Sequence, residues 1–131
     1  FIITNQSGIA RKYFTIDDYN KLNRWILQKF KYNNCRIDKI YSCFHHPDFN
    51  MNCDCRKPKP GLILNAIDEY NININDSWMI GDKITDIEAA HNAGINNKVL
   101  FTSKNNKSMN NNYNTAQSLL DIIKMYKKIY D

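Results

Sequence analysis

Two rhythms alternate along this chain. Short, largely apolar runs at Phe1 to Ile3, Lys39 to Phe44, Ser77 to Ile80 and Lys98 to Thr102 predict four strands. Between them apolar residues recur at three- and four-residue spacing. Tyr19, Leu22, Ile26 and Phe30 predict a helix to about Lys31, with Thr15 as its N-cap and Asp17 and Asp18 in the dipole-favoured first turn. Trp25 adjoins that stripe and is expected in the core. Ile63, Ala66, Ile67 and Tyr70 predict a second helix with Pro60 in its first turn. A third runs from about Thr85 to Asn92 and is closed by Gly94. Ala116, Leu119, Ile123 and Tyr126 mark one face of a last helix. Ser103 to Asn114, dense in Asn and poor in apolar residues, is expected to be a mobile loop. Strands alternating with helices predict an α/β fold, a parallel sheet with helices on both faces.

Composition narrows this picture without redirecting it. The 131 residues suit one domain, and a hydrophobic share of 43% is enough for a core. No run is long and apolar enough to cross a membrane. The net charge of +5 admits an anionic partner, from a phosphorylated metabolite to nucleic acid. The basic residues are scattered among Asn and Tyr, so most are expected on a solvated surface. The sequence opens without Met on what reads as a buried strand, and a preceding segment is therefore expected to be missing.

The stretch from Cys43 to Gly61, CFHHPDFNMNCDCRKPKPG, carries the densest chemistry. Cys43 and His45, then Cys53 and Cys55, form two X-x-X pairs, and residues two apart on an extended backbone point to the same side. Three thiolates and an imidazole make a closed tetrahedral set suited to structural zinc. Disulfides or plain reduced thiols remain the alternatives, although Cys53 and Cys55 are too close to bridge each other easily. Cys35 is expected to be an ordinary semi-buried thiol. His46 points to the other side of the strand and is expected in the loop or a pocket. The basic run Arg56, Lys57 and Lys59, stiffened by two prolines, leaves this loop.

Three predicted strand tips carry polar groups: Thr4-Asn5-Gln6-Ser7, Arg56-Lys57 and Gly81-Asp82-Lys83. A parallel sheet gathers such tips along one edge. There a Thr4 or Ser7 hydroxyl and backbone N–H groups would hold phosphate oxygens, Lys57 would balance their charge, and Asp82 would hold a hard cation such as Mg²⁺. Asp86 reads as an early-helix carboxylate.

With these residues in view, TNQSGIARKYF, the Cys-x-His…Cys-x-Cys-Arg-Lys-Pro-x-Pro-Gly loop and MIGDKITDIEAAHNAG together resemble the haloacid dehalogenase-like phosphatases. Within them the likeness is to the D-glycero-D-manno-heptose 1,7-bisphosphate 7-phosphatases, over Phe1 to about Thr102. The histidinol-phosphate phosphatases share the zinc loop but usually lack the SGIAR stretch and the His45-His46-Pro47 run. The resemblance implies a Rossmann-like sheet in a single domain, a cytoplasmic enzyme, a phosphorylated sugar as substrate, structural Zn²⁺ and catalytic Mg²⁺, with neither nucleic acid nor membrane as partner. By residue, it implies that Thr4, with Asn5 beside it, binds the transferring phosphoryl group, and that Lys57 is the neighbouring cation. Arg56 would reach the sugar phosphate, and Asp82 would hold Mg²⁺, with Lys83 close by and Asp86 behind it, outside the ion's own ligands. Ser7 and Arg11 would help recognise substrate, and Cys43, His45, Cys53 and Cys55 would ligate zinc.

The same resemblance exposes a departure. The family's Asp-x-Asp-Gly motif, which supplies the nucleophile and the general acid/base, does not occur in these residues. The first, central strand that carries it would lie between the strand ending at Thr4 and the one ending near Asp82. Without it the chain as given is expected not to turn over, and both flanking strands are expected to expose bare edges. A segment of the same protein is the expected source of the missing strand. The alternative from another class is a non-catalytic zinc module that binds an anionic partner through Arg56, Lys57, Lys59, Lys124, Lys127 and Lys128.

Overall fold

The computed structural model describes residues 1–103 and 112–130. In chain order the elements are β1 (Ile2–Asn5), α1 (Ile16–Tyr32), β2 (Ile40–Cys43), α2 (Gly61–Tyr70), β3 (Trp78–Gly81), α3 (Ile84–Asn92), β4 (Asn97–Phe101), β5 (Asn114–Ala116) and α4 (Leu119–Tyr130). All strand pairs are parallel. β1 pairs with β2, with Thr4 opposite Ser42, and β3, β4 and β5 form a second sheet in that order. Among the described residues, β1 and β3 each have a strand partner on one side only.

Helices cover both faces. Alternation along β2 sends Tyr41 and Cys43 toward Leu62 and Ala66 of α2, and Ser42 toward the Tyr19 hydroxyl of α1. Alternation along β3 sends Met79 into a cluster with Ile63 of α2 and Ala89, Ala90 and Ala93 of α3, while Trp78 packs with Ile122 and Met125 of α4. Ile3 of β1 joins the Ile63–Ala89 cluster. The two sheets are therefore joined through α2 and α3 rather than by hydrogen bonds between strands.

Local chemistry fixes several boundaries where the pattern predicts them. The Thr15 hydroxyl accepts from the Asp18 N–H, and the Asp18 carboxylate accepts from the Thr15 N–H, so α1 starts in a reciprocal cap. Gly94 has φ of +85°, a conformation open to glycine at little cost, and ends α3. Pro60 precedes α2 as its N-cap instead of lying within its first turn.

Other expectations are corrected. Trp25 is 56% exposed and Leu22 51%, and only Tyr19 of the α1 stripe is buried, because α1 touches β2 near its N-terminal end. Cys35 is exposed. Ala116 belongs to β5, not to the last helix, and Asn114 is already strand. The Ser118 hydroxyl and the Asp121 carboxylate then cap α4 reciprocally, and Ile122 rather than Leu119, Ile123 or Tyr126 is its buried residue. A three-residue strand is too short to leave a periodic signature. Most of the expected Asn-rich loop, 104–111, lies outside the described residues.

Candidate functional site

β2 delivers Cys43, fully buried, directly into the loop that carries the other three candidate ligands. The Sγ atoms of Cys43, Cys53 and Cys55 and the Nδ1 of His45 all lie within 4.8 Å of one another. Cys55 Sγ is 3.0 Å from Cys43 Sγ, 3.2 Å from Cys53 Sγ and 3.2 Å from His45 Nδ1. Four convergent soft donors without a disulfide are a set that fits a tetrahedral metal ion. Burial pushes the thiols of Cys43 and Cys55 up. At Cys53 burial pushes up as well, but hydrogen bonds from Cys55 and Cys43, the Arg56 backbone and His45 outweigh it and bring the thiol down to about 6. Thiols and an imidazole converging in this way are an arrangement that a cation completes, displacing the thiol protons.

Beside this loop, an open cleft of about 570 Å³ separates β1 from β3. Thr4, Lys57, Gly81, Asp82 and Asp86 lie along it, together with the apolar Ile3, Met79 and Ile80. Thr4, Lys57 and Asp82, distant in sequence, are thus brought together. The Thr4 hydroxyl accepts from the Gln6 amide at 3.0 Å, which leaves its own proton free to donate. Asn5 clasps the backbone of Lys57 twice, its amide donating to the carbonyl and its oxygen accepting from the N–H, each at 3.1 Å. That clasp ties the exit of the Cys/His loop to the tip of β1.

Lys57 itself is the most constrained cation of the site. Its Nζ donates to the Ile3 carbonyl at 2.7 Å and meets the Asp86 carboxylate at 2.6 Å, with side-chain exposures of only 10% and 7%. The other Asp86 oxygen accepts from the Lys83 N–H at the start of α3. Gly81 makes this packing feasible, since a Cβ there would come within 2.3 Å of Asp86 Cβ. Asp86 thus stands behind the site, as the resemblance implies, and its partner is Lys57, a pairing that no spacing in the sequence indicates. Asp82 is exposed at the mouth of the cleft and is the carboxylate there not engaged by Lys57. One carboxylate with open solvent fits the sparse protein ligation that Mg²⁺ tolerates when phosphate oxygens and water complete its shell.

The remaining predicted residues divide. Arg56 donates to the His45 carbonyl at 3.2 Å, and Arg11 meets His46 Nε2 at 2.5 Å, so both guanidinium groups are anchored on the Cys/His loop. Ser7 and Lys83 are not among the residues that line the cleft. His46, only 8% exposed, is a loop residue as its position on the strand suggested.

The HAD-hydrolase-like family model matches residues 54–121, which include Lys57, Asp82 and Asp86. The chain belongs to this HAD-hydrolase-like family. It is 46% identical over 103 residues to a D-glycero-beta-D-manno-heptose-1,7-bisphosphate 7-phosphatase of Pasteurella multocida, a match covering 76% of this chain and 56% of the relative. Against a D-glycero-alpha-D-manno-heptose-1,7-bisphosphate 7-phosphatase of Campylobacter jejuni it is 38% identical over 128 residues, covering 98% and 71%. The fold superposes with a TM-score of 0.82 on the crystal structure of a D,D-heptose 1.7-bisphosphate phosphatase from B. bronchiseptica complexed with magnesium and phosphate, at 25% identity, covering 96% of this chain and 72% of that one. The chain spans little more than half the length of several curated relatives.

Proposed function

We propose that these residues form the substrate- and metal-binding part of a phosphatase that hydrolyses the 7-phosphate of a heptose 1,7-bisphosphate. The observation that carries this reading is the convergence of Thr4, Lys57 and Asp82 on one cleft beside a Cys₃His cluster, in a chain similar to phosphatases of that specificity. In this reading the free Thr4 proton and the Lys57 ammonium hold the transferring phosphoryl group. Both act from fixed positions, so little reorganisation accompanies the build-up of charge. Mg²⁺ held by Asp82 would neutralise charge on the same oxygens. Asn5 positions Lys57 through its backbone, Arg56 reaches the sugar phosphate, and Ser7, Arg11 and Lys83 contact the substrate periphery. Zinc at Cys43, His45, Cys53 and Cys55 holds the loop in shape and takes no part in bond breaking. Four unpaired cysteines suit a reducing compartment such as the cytoplasm.

No Asp-x-Asp-Gly occurs in the sequence. The carboxylates that attack phosphorus and protonate the leaving oxygen are therefore expected from a segment outside these 131 residues, seated in the cleft between β1 and β3. The non-catalytic zinc-module reading finds less support, because it leaves Thr4 and Asp82, which line the cleft with Lys57, without a role.

Phosphate release by the complete gene product from heptose 1,7-bisphosphate and from histidinol phosphate tests the assignment. A kcat/KM at least about tenfold higher on the heptose bisphosphate is expected. Equal rates, or a preference for histidinol phosphate, would overturn it.

A further inference from the structure

β4 places a charge where the fold calls for an apolar side chain. Its alternation turns Val99 toward Trp78 and Ile122 on the α4 side, so the neighbouring Lys98 faces α3, level with Met79 of β3. Lys98 is only 5% exposed. Its Nζ donates to the Ile95 carbonyl at 2.9 Å and to the Asn96 carbonyl at 3.1 Å. An ammonium carries three N–H donors, so among the described residues one is left over. Lys57 at the cleft has Asp86 as its counter-charge, but among the described residues no carboxylate forms an ion pair with Lys98. Burial pushes the Lys98 ammonium down, and two neutral carbonyls leave its charge unbalanced.

A groove of about 520 Å³ opens beside this lysine along α3, and it shares no lining residue with the cleft between β1 and β3. Ile84 and Ile87 of α3 and Tyr113, just ahead of β5, give it apolar walls. Glu88 and His91 follow Ile84 on the same helical face and complete the lining. Glu88 and Lys98 thus share the groove without pairing with each other. An apolar-walled hollow with one inward-facing cation is the usual form of a small-molecule site. The Glu88 carboxylate decides the charge of the guest: a phosphate dianion meets it as a like charge, whereas a singly charged carboxylate balances Lys98 with the least repulsion.

We infer that the groove along α3 is a second ligand site, for a small monocarboxylate with an apolar body, whose carboxylate accepts the remaining N–H of Lys98 while its body lies against Ile84, Ile87 and Tyr113. The site stands apart from the phosphoryl-binding cleft and does not depend on which phosphate ester the cleft takes. The two regions divide ligands by charge, phosphate to Thr4 and Lys57 and carboxylate to Lys98.

Benzoate is the probe, titrated into the complete, isotope-labelled protein and followed by NMR through the ring signals of His91 and Tyr113. Saturable shifts at both are expected, with benzyl alcohol, which has the same ring and no charge, binding at least about tenfold more weakly. Lys98→Met keeps an apolar stem and removes the charge. It is expected to weaken benzoate at least about tenfold while benzyl alcohol stays within about threefold of the parent. Equal affinities of the parent for benzoate and benzyl alcohol would overturn the inference, whether or not the variant folds. So would full benzoate affinity in Lys98→Met, or shifts that never saturate. Inorganic phosphate, the ligand assigned to the cleft, is expected not to displace benzoate. Displacement would place the carboxylate in the cleft and overturn the second site, and failure of phosphate to bind at all would count against the cleft reading alone.

Discussion

The Cys/His cluster and the cleft beside it are assembled in opposite ways. The cluster takes all four ligands from one stretch, Cys43 to Cys55, and its geometry follows from two local pairs and a turn. The cleft takes Thr4 from β1, Lys57 from the loop exit and Asp82 from the tip of β3, and its tightest contacts, Lys57 to Ile3 and to Asp86, join residues far apart in the chain. A site built locally depends on its own ligands. A site built across the fold depends on every element that brings its parts together, so damage far from the chemistry reaches it.

The comparison breaks most visibly at the cluster. Cys53→Ser or Cys55→Ser is expected to abolish metal binding, while Cys35→Ser, exposed and remote, keeps it. Metal content of the purified variants reads this directly. Retention in Cys55→Ser, or loss in Cys35→Ser, would contradict the ligand set. Because metal affinity is folding free energy for such a loop, chelation should lower the Tm as far as the serine variants do.

Next in size is the ion pair of the cleft. Lys57→Met leaves the Asp86 carboxylate buried with only the Lys83 N–H to balance it, and the expected loss is about 3–5 kcal/mol in denaturant unfolding. Adding Asp86→Leu should restore much of that stability, because no charge is then stranded. Metal binding at the cluster should survive both changes. If Lys57→Met also empties the cluster, the two regions are not independent.

The packing that carries the cleft is tested by paired truncations. Leu62 is 6% exposed between α2 and β2, and Leu62→Ala is expected to cost about 2–5 kcal/mol. Leu22→Ala on the exposed side of α1 should stay within about 0.5 kcal/mol. Similar losses at the two positions would mean that α1 is buried against something in solution.

The smallest effect is the dependence on pH. The Glu69 carboxyl is held below its ordinary value by hydrogen bonds from Lys39 and Tyr41, Asp18 by Thr15, and Asp121 by Ser118. Each favours the ionised form in the fold, so its contribution is present above about pH 4 and is lost as the pH falls through the depressed folded value. Tyr41 is pushed up to about 12 by desolvation and by Glu69, so its contribution is present below pH 10 and lost as the pH rises from there toward 12. A Tm profile that is flat between these limits and falls at both ends is expected. Glu69→Gln should soften both shoulders, and an unchanged profile in that variant would refute the assignment.

The legibility of the two regions follows from the same contrast. Helix starts at Thr15 and at Ser118, and the glycine stop at Gly94, are decided within a few residues, and short-range hydrogen bonds enforce them. Of these, Thr15 and Gly94 stand out in the pattern, whereas Ser118 does not, because Ala116 falls in phase with the apolar face of the helix that follows. Trp25 misled for another reason. A helical stripe says that a face is apolar but not how much of it finds a neighbour, and α1 meets β2 near Tyr19 alone.

By itself the sequence determined the alternation of strands and helices, the four residues of the Cys/His cluster and the polar tips of β1 and β3, because side-chain period, cap chemistry and the spacing of paired residues act over a few positions. Only the tertiary structure decided that Asp86 pairs with Lys57 inside the fold, that Arg11 meets His46, and that β1 and β3 face each other across a cleft instead of pairing. Those contacts depend on how α2, α3 and the loops pack in three dimensions, and no spacing within a single element encodes which distant charge will be buried against which.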